Sequence, residues 1–104
     1  MINKSKEIYV NRFVKYIKNN YSDKINKIVV FGEAVDTSIN NPESIDFAIQ
    51  FIDKVDNTNK ELLGEILSYL GDIVDKGDCS IVPLDETILS KSCWNAIQQG
   101  TIVY

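Results

Sequence analysis

Four apolar residues in a row, Ile28-Val29-Val30-Phe31, three of them β-branched and closed at once by Gly32, constrain this chain more than any other stretch. A run this short and this branched, ended by a glycine, reads as a buried strand. Such a strand needs other structure to cover it. The chain has 104 residues, 44% hydrophobic and 10% aromatic, with two prolines. That suits one domain spanning 1–104, burying roughly two-thirds of its unfolded surface, and excludes disorder and low-complexity scaffolding. The four-residue run is also the longest unbroken aliphatic–aromatic one, too short for a membrane span. Met1 to Glu7 hold basic residues with no apolar signal core behind them, so the expectation is a soluble cytoplasmic domain.

Helical and strand periodicities supply the covering layers. Val10, Phe13, Val14, Ile17 and Tyr21 recur at helical spacing, predicting a first helix from about Ser5 to Tyr21. After the strand Lys27–Phe31 comes a polar connection over 33–43, with Asn40-Asn41-Pro42 as its turn signal. The second strand, Ser44–Phe51, alternates: Ile45, Phe47 and Ile49 on one face, Ser44, Asp46, Ala48 and Gln50 on the other. A loop over Asp53–Asn59 leads to a second helix from about Asn59 to Val74, its core stripe Leu63, Ile66, Leu67, Leu70 and Val74. Gly77 provides the exit to a third strand, Cys79–Val82, stopped by Pro83. A third helix then runs from near Asp85 to Gly100 with Ile88, Leu89, Trp94 and Ile97 inward, and Thr101–Tyr104 is extended. The order α-β-β-α-β-α-β predicts an α+β fold, helices packed on a small, mixed, mostly three-stranded sheet.

Composition removes whole classes of chemistry. Histidine is absent, so Ser-His-Asp and Cys-His catalysis and histidine metal sites are excluded. Cys79 and Cys93 are too few for a zinc cluster or disulfide scaffold and read as buried thiols in a reducing compartment. The net charge of −4 is uneven: residues 1–27 carry six lysines and Arg12 against two acids, the remainder four lysines against thirteen acids. Overall acidity makes duplex DNA an unfavourable target. The basic first helix marks a phosphate-rich partner, or else is a solvated face or one that complements acids elsewhere in the same fold.

Carboxylate chemistry survives this filter, and it concentrates in Phe31-Gly32-Glu33 and Glu43-Ser44-Ile45-Asp46-Phe47. A glycine ending a buried strand lets backbone approach a ligand, and polar side chains at i and i+2 of the next strand aim at one point. In this arrangement the chain resembles the minimal nucleotidyltransferases, small members of the DNA polymerase β-like superfamily. Their pattern is a hydrophobic strand ending in Gly-Ser, a loop, then Asp-hydrophobic-Asp. Gly32 matches the glycine, and Ser44 follows twelve residues later. The ending Ile97-Gln98-Gln99-Gly100-Thr101-Ile102-Val103-Tyr104 is similar to the family's I-x-x-G-x-x-x-Y segment.

The resemblance implies two metal ions on three carboxylates. Carried over residue by residue, it puts Glu33 at the phosphate-turn serine, Ser44 at the first carboxylate, Asp46 at the second and Ser80 at the third. Asp46 alone keeps its acid. A carboxylate at 33 would face phosphate, which costs on the order of 4 kcal/mol at about 4 Å and an effective dielectric near 20. The resemblance therefore implies a degenerate site with no cofactor expected, and Mg²⁺ with ATP only if it still functions. Asp78, two residues before Ser80, either joins Asp46 and Glu33 in an acidic cluster for one Mg²⁺ or is a turn residue after Gly77. Family members are commonly encoded beside a helical HEPN-type partner in bacterial toxin–antitoxin pairs. The resemblance thus implies a binding protein, an antitoxin to such a toxin, or else a homo-oligomer. The alternatives are AMP transfer through a rearranged site and nucleotide sensing without chemistry. Trp94, Tyr9, Tyr16 and Tyr69 are either base-stacking platforms or core and interface residues.

Overall fold

The computed structural model describes residues 2–53, 57–74 and 77–104. Its elements run α1 (Glu7–Asn20), β1 (Ile25–Phe31), a short 3₁₀ turn (Gly32–Val35), β2 (Ser44–Phe51), α2 (Asn57–Ile73), β3 (Asp78–Pro83), α3 (Lys91–Gln98) and β4 (Thr101–Ile102). The fold is α+β in the expected order, and the sheet is mixed. It has four strands in the order β3-β2-β1-β4 rather than mostly three. β1 pairs antiparallel with both β2 and β4, and β2 pairs parallel with β3 through the α2 crossover.

The doubly buried strand sits centrally, between β2 and β4. Alternate residues of β1 serve opposite layers. Ile28 and Val30 join Ile45, Phe47 and Ile49 beneath α1 and α2, in a core closed by Val10, Phe13, Ile17, Ile66 and Leu70. Phe13 and Phe47 touch with ring centroids 4.4 Å apart. Val29, Phe31 and Ala48 face the other way and pack with Ile97 of α3.

Several boundaries differ from the periodicity, each for a local reason. β3 begins at Asp78 and includes Pro83, which is paired in register with Ile49. The next amide, Leu84 N–H, donates to Ile49 O at 2.7 Å, so the proline nitrogen points to the open edge and no ladder bond is lost. α3 starts at Lys91, not near Asp85: Asp85 Oδ1 accepts from Thr87 N–H at 2.9 Å and from Thr87 Oγ1 at 2.6 Å, closing a turn instead. Ser90 then caps the helix, its Oγ accepting from Cys93 N–H at 3.1 Å. Ile88, expected inward, lies in that turn and is 59% exposed.

α2 begins at Asn57, two residues early, and positions 54–56 of the expected loop lie outside the described residues. Its buried stripe is Leu62, Ile66, Leu70 and Val74, a strict i, i+4 row. Leu63 is half-buried and Leu67 exposed, one step round the helix from that row. Cys79 and Cys93 are both free and half-buried, not buried. Lys6, read as part of a basic helix, is instead 5% exposed, with its Nζ 5.6 Å from the Tyr9 ring centroid. Gly100 is tightly enclosed: a Cβ there would stand 2.5 Å from Val30 O, so α3 turns into β4 directly against the central strand. Among the described residues no helix is long and apolar enough to cross a membrane.

Candidate functional site

Strand register gathers the polar residues at one end of the sheet. Phe31, the last residue of β1, pairs with Asp46, and Asp46 pairs with Ser80 of β3. One step back, Ser44 pairs with Asp78. Paired positions in a pleated sheet project to the same side, so Ser44, Asp46, Asp78 and Ser80 share the α3 side of the sheet. α3 covers part of that face, over Val29, Phe31 and Ala48.

Gly32 makes this end possible. Its φ of +79° is the left-handed conformation that glycine adopts without a Cβ penalty. A Cβ there would also stand 2.5 Å from Asp46 Oδ2, so the bare backbone leaves room for that carboxylate. The other oxygen of Asp46, Oδ1, accepts from Ser80 Oγ at 2.6 Å. Asp46 thus lies against the glycine turn on one side and is hydrogen-bonded to the neighbouring strand on the other.

Glu33 is equally committed. Its Oε2 accepts from Ser44 Oγ at 2.9 Å, Ser44 N–H at 3.1 Å and Glu43 N–H at 3.3 Å. These bonds tie the 3₁₀ turn to the first residue of β2 across the 36–43 loop. The two serines at the expected carboxylate positions therefore each donate to one of the two acids, Ser44 to Glu33 and Ser80 to Asp46. That reciprocal pairing was not anticipated from the sequence, because which serine meets which acid depends on strand register.

Asp78 stands on the site's face as the first residue of β3, rather than within the turn. Its side chain is exposed, and its N–H donates to Glu43 O at 2.8 Å. Asp78 and Asp46, after burial itself, push the Cys79 thiol up from its ordinary value. Among the described residues no three Asp, Glu or Cys side chains converge in a group that could hold a metal ion, so the cluster of Asp46, Asp78 and Glu33 is not assembled. Beside the Gly32 turn lies an open hollow of about 380 Å³, lined by Gly32, Val35, Asp36, Thr37, Ala96 and Gln99. Trp94 borders a different hollow, with Ile97 and Ile102, and Tyr16 stacks on Tyr69 at 3.6 Å between α1 and α2. Neither aromatic group reaches Asp46.

No protein-family model and no curated protein matches the chain. Solved structures do. One is the MntA–HepT toxin–antitoxin complex, whose matched chain is 22% identical, with a TM-score of 0.63 over 94% of this chain and 71% of that one. Another is a complex of tri-AMPylated Shewanella oneidensis HEPN toxin with MNT antitoxin, at 22% identity and a TM-score of 0.65, over 95% of this chain and 71% of the other. This is a minimal-nucleotidyltransferase-like fold. At this level of identity the likeness is one of architecture, and it agrees with the strand–glycine–strand arrangement around Gly32 and Asp46.

Proposed function

We propose that this chain acts by binding, as an antitoxin that masks a HEPN-type toxin, and that the end of the sheet around Asp46 has become a hydrogen-bonded structural corner. The observation that carries this reading is the mutual satisfaction of the corner: Ser44 donates to Glu33 and Ser80 donates to Asp46. A two-metal centre needs several anionic oxygens free to face the ions. Here neutral hydroxyls stand at two of the three carboxylate positions, and the remaining acid is engaged by one of them. The residues present do not fit such a centre, and this reading requires neither Mg²⁺ nor ATP.

The fold supports the choice of partner, since the similar solved structures are complexes of an MNT antitoxin with a HEPN toxin. One of those neighbours contains a tri-AMPylated toxin. That favours a second reading, transfer of AMP onto the partner, which would depend on Asp46 as the remaining acid.

The test is co-expression with a HEPN-type toxin, scored by growth, by co-elution and by intact mass of the toxin. The expected result is that the native chain and its Asp46→Asn variant restore growth alike, form a stoichiometric complex and leave the toxin's mass unchanged. An AMP adduct on the toxin that vanishes with Asp46→Asn, along with the rescue, would establish transfer instead. Failure of both proteins to bind or rescue would overturn the antitoxin reading.

A further inference from the structure

α1 and α2 form the outer layer over the sheet, and their exposed residues carry opposite net charge, Arg12, Lys15 and Lys18 outweighing Glu7 on α1, and Glu61, Glu65 and Asp72 outweighing Lys60 on α2. Opposite the buried stripe of Val10, Phe13 and Ile17, α1 presents Arg12 and Lys15, both exposed. Opposite its own stripe of Leu62, Ile66 and Leu70, α2 presents Glu61 and Asp72, also exposed. Among the described residues, none of these four is in an ion pair within the chain.

Two contacts fix how the helices lie. Tyr16 stacks on Tyr69, and Tyr21 Oη–H donates to Glu65, so α1 and α2 run antiparallel. Counting from the Tyr16–Tyr69 level at 1.5 Å per residue, Arg12 lies about 6 Å along α1 and Asp72 about 4.5 Å in the same direction along α2. Arg12 and Asp72 therefore stand at nearly the same height on neighbouring helices, both turned outward.

We propose that this layer is a homodimer interface, occupied by a second copy of the chain related by a two-fold axis parallel to the helices. That operator preserves height and exchanges left for right. It sets α1 of each copy over α2 of the other, and Arg12 of each against Asp72 of the other. A two-fold axis across the helices would instead stack α1 on α1, opposing Arg12 and Lys15 with their own copies, an arrangement disfavoured by like charge. Charge thus selects one symmetry operator. Gly64 and Gly71 do not obstruct it, having nothing within 4 Å of where a Cβ would stand.

The proposal is independent of the toxin-binding reading and is tested on the chain alone, by sedimentation velocity over a concentration series. At about 0.02 M salt a dimer is expected, weakening towards monomer at about 1 M, where charge attraction is screened within about 3 Å. Arg12→Glu and Asp72→Arg are each expected to raise the dissociation constant about tenfold, since reversal turns attraction into repulsion twice per dimer. Arg12→Glu combined with Asp72→Arg is expected to restore association, and circular dichroism checks that every variant is folded. A monomer at every concentration in low salt overturns the proposal, as does a dimer indifferent to both substitutions. Two damaging single substitutions without recovery in the double variant overturn this symmetry as well.

Discussion

The two faces of the one sheet are built to different standards. Beneath α1 and α2, Phe13, Phe47, Ile17, Ile45 and Ile49 are fully buried and closed off by two long helices. On the other face an eight-residue helix covers Val29, Phe31 and Ala48 through Ile97, and one end of that face carries Ser44, Asp46, Asp78 and Ser80. Both faces come from the same alternating residues of β1 and β2. The difference lies in what covers them: one is filled by apolar volume, the other ends in hydrogen bonds to a glycine turn. A face of the second kind can keep the outline of a ligand site, because its polar residues are satisfied locally and no core collapses if they change.

The largest effect should come from the sealed face. Phe47→Ala is expected to cost about 3–5 kcal/mol, because the cavity beside Phe13 cannot close, whereas Ile97→Ala on the thinner face should cost nearer 2 kcal/mol. Urea midpoints at constant slope measure both, and a larger loss at Ile97 would break the contrast between the faces. Next comes the turn. Gly32→Ala meets a positive φ and the Asp46 carboxylate together, for a loss of about 2 kcal/mol. Adding Asp46→Ala should recover the steric part and leave the backbone part. Equal stability of Gly32→Ala and the native chain would mean that Asp46 is not held against the turn.

Smaller effects sharpen the picture. Ser90→Ala removes the α3 cap and should cost about 1 kcal/mol, loosening the thinner face alone; hydrogen exchange would show faster opening of the Ile28 and Val30 amides, which face β4, with Ile49 unaffected. The pH test is the gentlest. The Tyr21 hydroxyl is pushed up from 10.0 to about 12, first by its hydrogen bond with Tyr16 and then by burial. A folded value above the unfolded one means the folded state holds its proton more tightly. That contribution is complete below about pH 10 and is lost as pH climbs towards 12. Tyr21→Phe should flatten stability against pH in that window, and an unchanged slope would remove Tyr21 as its source.

Much of the fold is legible in the residues themselves. Ile28-Val29-Val30-Phe31 before Gly32 marks a buried strand, and the alternation from Ser44 to Phe51 assigns its neighbour's faces correctly. The misreadings have one cause. Pro83 looks like a strand stop until the open edge of β3 is known, and Asp85 looks like a helix start until its carboxylate is seen closing a turn on Thr87. Leu67 looks inward because leucine is apolar, yet the i, i+4 row through Ile66 decides which side of α2 is buried.

The candidate site divides along the same line. Turn chemistry and period-two alternation are local properties of a chain, and they single out Gly32, Glu33, Ser44 and Asp46, while the resemblance to the minimal nucleotidyltransferases adds Ser80. Sequence by itself also determined that histidine chemistry is absent. Only the tertiary structure decided that Ser80 bonds Asp46, that Ser44 bonds Glu33, that Asp78 opens β3 opposite Ser44, and that Lys6 is buried. Those outcomes depend on the register between strands far apart in sequence, and register is set by the packing of a whole core, which no local pattern of residues contains.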